Sequence, residues 1–291
     1  MQTDKKTLRL LMPQWQGGNN GITYPLGARL LAWLAPESDS PLVEVPVEPF
    51  DGSAPPLENG VVWRTRLLKQ LRASEAIIKA YEPDRIVNFG GDCLVSQAPF
   101  AWLNERYQGE LGVLWIDAHP DVTTPKQWQN AHAMVLGHLL GEGDADFTAE
   151  VKVPLKPRKV MLAGIDETSN QEAEVIKRLG LRVVGQRAMA ESSAQVLDWI
   201  GEAGIKHLAI HLDLDILDPK LFRSLLFAEP QAAPDAFKGI PQGHLTFTQV
   251  GRLISDISAR TDVVGLSIAE HMPWDDIHLQ DFLKGIPILN L

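Results

Sequence analysis

Eight short apolar runs, separated by stretches of helical periodicity, constrain this chain most. The runs are Leu8–Met12, Leu42–Val47, Arg85–Phe89, Leu111–Ile116, Lys159–Ala163, Leu181–Val184, His207–Leu212 and Val263–Ile268. Several are almost wholly apolar, the composition of strands covered on both faces. Between them, residues 61–81 carry Leu67, Leu71 and Ile78 beside Leu68 and Ile77, a helical stripe. Residues 172–179, 194–203 and 246–257 read the same way. Strands alternating with helices imply a mainly parallel sheet, because parallel neighbours need a long crossover connection. Helices then cover both faces. The expected fold is α/β, a three-layer α/β/α sandwich. No repeat or linker divides residues 1–291, so a single domain is expected.

Charge and cysteine usage narrow the class. A formal charge of −10 argues against a nucleic-acid or anionic-membrane surface. The one cysteine allows no intramolecular disulfide, which fits a reducing compartment. Residues 1–6 lead into a short apolar run that Pro13 ends, without the long apolar region of a signal peptide. No apolar stretch is long enough to span a bilayer. The expectation is a cytoplasmic protein with no nucleic-acid or membrane partner.

Chemistry concentrates where the apolar runs end. Asp117-Ala118-His119-Pro120-Asp121 follows one run, and strand alternation would point Asp117, His119 and Asp121 the same way. Two carboxylates and an imidazole on one point suit a divalent first-row metal. His211-Leu212-Asp213-Leu214-Asp215 closes another run, with Asp213 and Asp215 on a shared face. A metal would offset their repulsion; capping of the following turn is the alternative. Gly90-Gly91-Asp92-Cys93 closes a third run, its glycines allowing tight turning and close approach. Three long loops, 13–21, 122–131 and 227–244, follow strands and could line one mouth.

Together these segments resemble the ureohydrolase family, the arginases, agmatinases and their relatives. That family's pattern is Gly-Gly-Asp-His, then Asp-Ala-His-x-Asp, then Ser-x-Asp-x-Asp-x-x-Asp-Pro, then a late Glu. This chain has residues 90–93, 117–121 and 211–219, and Glu270 in Ala269-Glu270-His271-Met272-Pro273. The resemblance runs from about residue 85 onward. The arginase branch looks nearest, since Val122-Thr123-Thr124-Pro125 is similar to its Ile-Asn-Thr-Pro, and residues 239–246 resemble its Gly-Thr-Pro-x-x-Gly-Gly-Leu-Thr.

The resemblance implies an arginase-like fold and a metal-dependent hydrolase that cleaves a guanidino group to urea and an amine. It implies two divalent metals, usually manganese. Asp117 and Asp213 would bridge them, His119 and Asp215 would complete one site, and Asp121 with residue 93 the other. His132 matches the family's proton-shuttling histidine, the alternative being a plain helix-start residue. Glu270 would pair with the guanidinium. Thr123, Asn130 and Glu172 would contact the substrate. Family members usually form trimers or hexamers, so a homo-oligomer is implied.

Three departures qualify this. Cys93 stands where the family has a histidine. It could ligate as a thiolate and favour zinc, iron or nickel over manganese. It could be a small buried apolar residue beside a weak first site, or mark a decayed site in a protein that binds without catalysis. His211 stands in place of a serine. It would either supply the imidazole lost at position 93 or hydrogen-bond a ligand carboxylate. Ser169 stands where an arginase has an acidic residue, Thr123 replaces an asparagine, and Lys126 and Trp128 are new. Arginine therefore competes with agmatine, guanidinobutyrate or a formimidoyl compound as substrate.

Overall fold

The computed structural model describes residues 5–290. Eight strands form one sheet: β1 (Thr7–Met12), β2 (Leu42–Glu44), β3 (Arg85–Gly90), β4 (Gly112–Ile116), β5 (Val160–Ala163), β6 (Arg182–Val184), β7 (His207–Asp213) and β8 (Asp262–Ala269). Their order is β2-β1-β3-β8-β7-β4-β5-β6, and every pairing is parallel. The longer helices are α1 (Thr23–Leu34), α2 (Arg64–Tyr81), α3 (Gln97–Arg106), α4 (Asn170–Leu179), α5 (Ala194–Glu202), α6 (Phe247–Ser258) and α7 (Trp274–Lys284).

The alternation of side chains along each strand builds two cores. On β4, Val113 and Trp115 face the core shared with Leu67 and Leu71 of α2 and Leu103 of α3. Leu114 and Ile116 face the opposite core, shared with Trp199 of α5 and Leu253 of α6. The α/β/α sandwich follows, because a strand in the middle of the sheet must bury both faces. Each fully buried Leu, Ile or Val contributes roughly 1.5–3 kcal/mol.

Several boundaries differ from the sequence reading. The second strand stops at Glu44 instead of Val47; Pro46, which has no N–H, follows closely. Lys159 belongs to a 3-10 turn that precedes β5. The helix expected from residue 61 starts at Arg64, since Val61–Val62 pairs with Leu57–Glu58 in a short antiparallel ribbon. Helices α1, α3 and α7 were not expected. Pro25 and Pro99 sit in the first turns of α1 and α3, where no N–H is required, so neither proline breaks its helix.

A parallel sheet places all its strand C-termini on one edge. Four adjacent strands, β3, β8, β7 and β4, therefore deliver Cys93, Glu270, Asp213 with Asp215, and Asp117 through Asp121 side by side. This is the edge where α/β sheets carry their ligands.

Candidate metal centre

Backbone contacts fix this edge. The Asp117 N–H donates to Ala163 O at 3.1 Å, and the Glu270 N–H donates to Gly91 O at 2.8 Å. Gly91 packs so closely that a Cβ there would lie 1.8 Å from Gln14 O. Asp121 and Glu270 adopt left-handed φ values of 49° and 65°. Such conformations cost an L-residue free energy and cluster at functional sites.

Strand alternation does not extend through Asp121: β4 stops at Ile116, and the next five residues turn. The turn brings the side chains together. His119 Nδ1 lies 3.0 Å from Asp215 Oδ2 and 3.5 Å from Asp117 Oδ1. Asp215 Oδ1 accepts from the Ala118 N–H at 3.3 Å, tying the two motifs together. Asp213 does cap its turn, since Oδ1 accepts from the Asp215 N–H at 2.6 Å. Its Oδ2 accepts from Cys93 Sγ at 2.9 Å.

Three groups of donor atoms gather within 4.8 Å: Asp117, His119 and Asp215; Cys93, Asp213 and Glu270; and Cys93, Asp117, Asp121 and His211. All but His119 are buried. Among the described residues, no lysine or arginine pairs with any of these carboxyl groups.

The electrostatics follow. Burial, then Asp215, pushes the Asp117 carboxyl up to about 6. Burial and then neighbouring carboxylates push Asp121 and Asp213 well above the usual range. Burial likewise raises Glu270 and the Cys93 thiol. Burial opposes charge on His119 and Asp215, but their mutual attraction outweighs it, raising the first and lowering the second. Carboxyl groups so crowded ionise readily only beside a cation. Two buried atoms, Asp121 Oδ2 and His211 Nε2, have no hydrogen-bond partner. Oxygen, nitrogen and sulfur donors with unpartnered atoms among them fit divalent metal ions.

Supporting contacts surround the cluster. Asp92 is fully buried and accepts from Gln14 Nε2 at 2.9 Å, Gly17 N at 2.8 Å and Leu94 N at 3.1 Å. Gly17 O pairs with His132 Nδ1 at 2.8 Å. A carbonyl only accepts, so Nδ1 carries the proton and Nε2 a lone pair. Burial lowers the His132 pKa and keeps the ring neutral. Tyr24 donates its hydroxyl to Glu270 Oε2 at 2.5 Å. Trp115 Nε1 donates to Asp117 Oδ2 at 3.1 Å. The third long loop reaches the same edge, with the Phe227 ring 6.2 Å from the His119 ring.

The remaining candidates lie around this edge. Thr123 donates through Oγ1 to Ala133 O at 2.6 Å and closes the loop that carries Asn130 and His132. Glu172 is half-buried, and its carboxylate accepts from Ser169 in a capping box that starts α4. Sequence reading missed Tyr24, Trp115, Ser96 and Ser267. None lies in a motif; only Trp115, two residues before Asp117, had positional proximity as a signal.

Comparison with known proteins agrees with this architecture. The model of the arginase family matches residues 64–280. The arginase of Agrobacterium fabrum is 26% identical over 248 residues, 81% of this chain and 71% of its own length. Arginase 1, mitochondrial, of Arabidopsis thaliana is 24% identical over 212 residues, 72% of this chain. That match covers 54% of the plant protein, so the chain spans about half its length. The crystal structure of Entamoeba histolytica arginase in complex with L-ornithine superposes with a TM-score of 0.76 at 18% identity, covering 97% of this chain and 98% of that one. This last is a likeness of fold.

Proposed function

The chain belongs to the arginase family, and on that premise we propose that it hydrolyses the guanidino group of a small molecule to urea and an amine. The observation that carries the reading is the convergence of Asp117, His119, Asp121, Asp213 and Asp215 beneath Glu270 on one sheet edge. Asp117, His119, Asp213 and Asp215 would hold one divalent metal, with manganese suited to that oxygen-rich set. Asp121 would draw a second to Asp117 and Asp213. Metals so held acidify water for attack on the guanidinium carbon.

The chain's own groups have distinct tasks. Glu270 faces the planar N–H fork of the guanidinium, and Tyr24 fixes its carboxylate. His132 keeps its proton on Nδ1 against Gly17, so its Nε2 lone pair can take a proton from the attacking water and then give that proton to the leaving amine. Thr123, Asn130 and Glu172 would contact the far end of the substrate. An amino-acid end there makes arginine the leading substrate; the Entamoeba relative was solved with L-ornithine, an amino acid. Agmatine, guanidinobutyrate and formimidoyl compounds are the rivals, because Glu172 is already engaged by Ser169. The setting proposed is a cytoplasmic homo-oligomer.

The test is urea release from a panel of guanidino substrates with manganese, nickel, zinc or iron, with bound metal measured in parallel. Turnover of arginine or a rival, lost in Glu270→Gln, is expected. No turnover with any metal, together with less than one metal bound per chain, would leave a non-catalytic arginase-like protein as the reading.

A further inference from the structure

We propose that His211 is a metal ligand and that Cys93, Asp117, Asp121 and His211 form a mixed sulfur–nitrogen–oxygen site selective for zinc over manganese. The inference rests on the metal-dependent reading above and deepens it.

His211 lies inside the sheet, at the β7 position that pairs with Trp115 of β4 and Ser267 of β8. Its ring stacks on Trp115 with centroids 3.7 Å apart and planes 9° apart, which fixes the ring plane. Ser96 Oγ donates to Ser267 Oγ at 2.9 Å, and Asn88 Nδ2 donates to Ser267 Oγ at 3.1 Å. Ser96 Oγ lies 2.8 Å from His211 Nδ1, and with its own proton given to Ser267 it accepts from that nitrogen in the Nδ1–H tautomer. In that tautomer the ring proton sits on Nδ1 and Nε2 presents a lone pair, which is the form the proposal requires. A metal-ligating histidine is held in this way, through its other ring nitrogen.

The lone pair has a defined direction. Nε2 is buried without a hydrogen-bond partner and lies 3.7 Å from Asp117 Oδ2. Asp121 Oδ2 is likewise buried and unpartnered. One donor atom each of Cys93, Asp117, Asp121 and His211 lies within 4.8 Å of the others. A buried imidazole nitrogen left without a partner costs free energy. A cation among the four groups removes that cost at His211 and at Asp121 together.

The donor types select the metal. Manganese prefers oxygen, whereas a thiolate, an imidazole and two carboxylates are a zinc set of four. Binding replaces the proton on Cys93 Sγ, which leaves to solvent as the sulfur–metal bond forms. The other set, with His119, carries no sulfur.

Zinc chloride is the probe, added to the chelator-stripped full chain. Wild type is expected to bind two equivalents, and folded His211→Ala and Cys93→Ala one each, counted by mass spectrometry with circular dichroism as the fold check. His211→Gln, closer in size, serves if His211→Ala does not fold. Cobalt(II) should give the near-ultraviolet thiolate band in wild type and none in Cys93→Ala. X-ray absorption on zinc-loaded His119→Ala, which lacks the other set's imidazole, should read sulfur and imidazole on the same zinc. Sulfur without imidazole, or two tight equivalents retained in His211→Ala, overturns the proposal. Urea release without sulfur–imidazole coordination would sink this site alone. Sulfur–imidazole coordination without turnover of any guanidino compound would sink the proposed reaction and leave the site standing.

Discussion

Replacing Gly91 by alanine should destabilise the fold at the site edge although no candidate ligand side chain is changed. An added Cβ would sit 1.8 Å from Gln14 O, 2.9 Å from Gln14 C and 3.1 Å from Tyr24 Cβ. Cβ atoms do not approach other heavy atoms within about 3.0 Å, so the carbonyl must move by at least about 1.2 Å. That carbonyl belongs to the backbone and cannot rotate aside as a side chain would. It accepts from the Asp92 N–H at 3.1 Å, while Gly91 bonds to Met12 O at 3.0 Å and to the Glu270 N–H at 2.8 Å. Overpacking costs about 1–3 kcal/mol, and each of the hydrogen bonds lost adds about 0.5–1.5 kcal/mol. With all three bonds lost, a total of about 2.5–7.5 kcal/mol is a large part of the roughly 5–15 kcal/mol that keeps a domain folded. Gly91 is not among the glycines with positive φ, so the effect is steric and not conformational. Gly251→Ala is the matched control: it lies in α6 with open space around its Cβ position. There the change should stabilise by about 0.5–1 kcal/mol. Urea unfolding followed by circular dichroism reads both. A loss below about 1 kcal/mol in Gly91→Ala would refute the packing argument.

Three further outcomes are expected. Tyr24→Phe removes the hydroxyl that Glu270 accepts from, and should cost about 1–2 kcal/mol of stability; unchanged unfolding would show that the bond contributes nothing. His138 is buried, bonds through Nδ1 to Gln97 Oε1, and is pulled down to about 3 by burial. The unfolded chain protonates this ring below about pH 6.5 and the folded chain does not until about 3, so its contribution is full above the unfolded value and declines with acid. Stability should fall by about 1 kcal/mol between about pH 6.5 and 5.5 from this group alone, and an equally steep acid limb in His138→Phe would contradict that. Manganese or zinc added to the stripped protein should raise its melting temperature, by about 2.7 kcal/mol of stability at a hundredfold excess over Kd. Asp213→Ala should lose most of the gain, and a full gain in that variant would remove Asp213 from the ligand set.

The local patterns were legible because each lies within a few consecutive residues. Apolar runs such as Val113–Ile116 announce strands buried on both faces, and Asp117–Asp121 and Asp213–Asp215 announce charge at strand ends. Helix starts at Ser169 and Thr246 carry capping boxes that sequence spacing can reveal. Helices α1 and α3 were hidden, because a proline reads as a breaker until its place in the first turn is known. The route by which Asp117, His119 and Asp121 converge was also hidden. Alternation suggested a strand, and a turn through left-handed Asp121 does the work instead.

By itself, the sequence determined the α/β class, the arginase-family motifs and which residue types could bind metal. Tertiary structure decided which of them meet. The Tyr24–Glu270 bond joins positions 246 residues apart. The pairing of β7 between β4 and β8 sets His211 against Trp115 and aims its free nitrogen at Asp117. Strand order depends on how long crossovers close over the sheet, and no local pattern encodes it. Chemistry that depends on neighbours across strands, including the partnership of Cys93 with His211, exists only once that order is set.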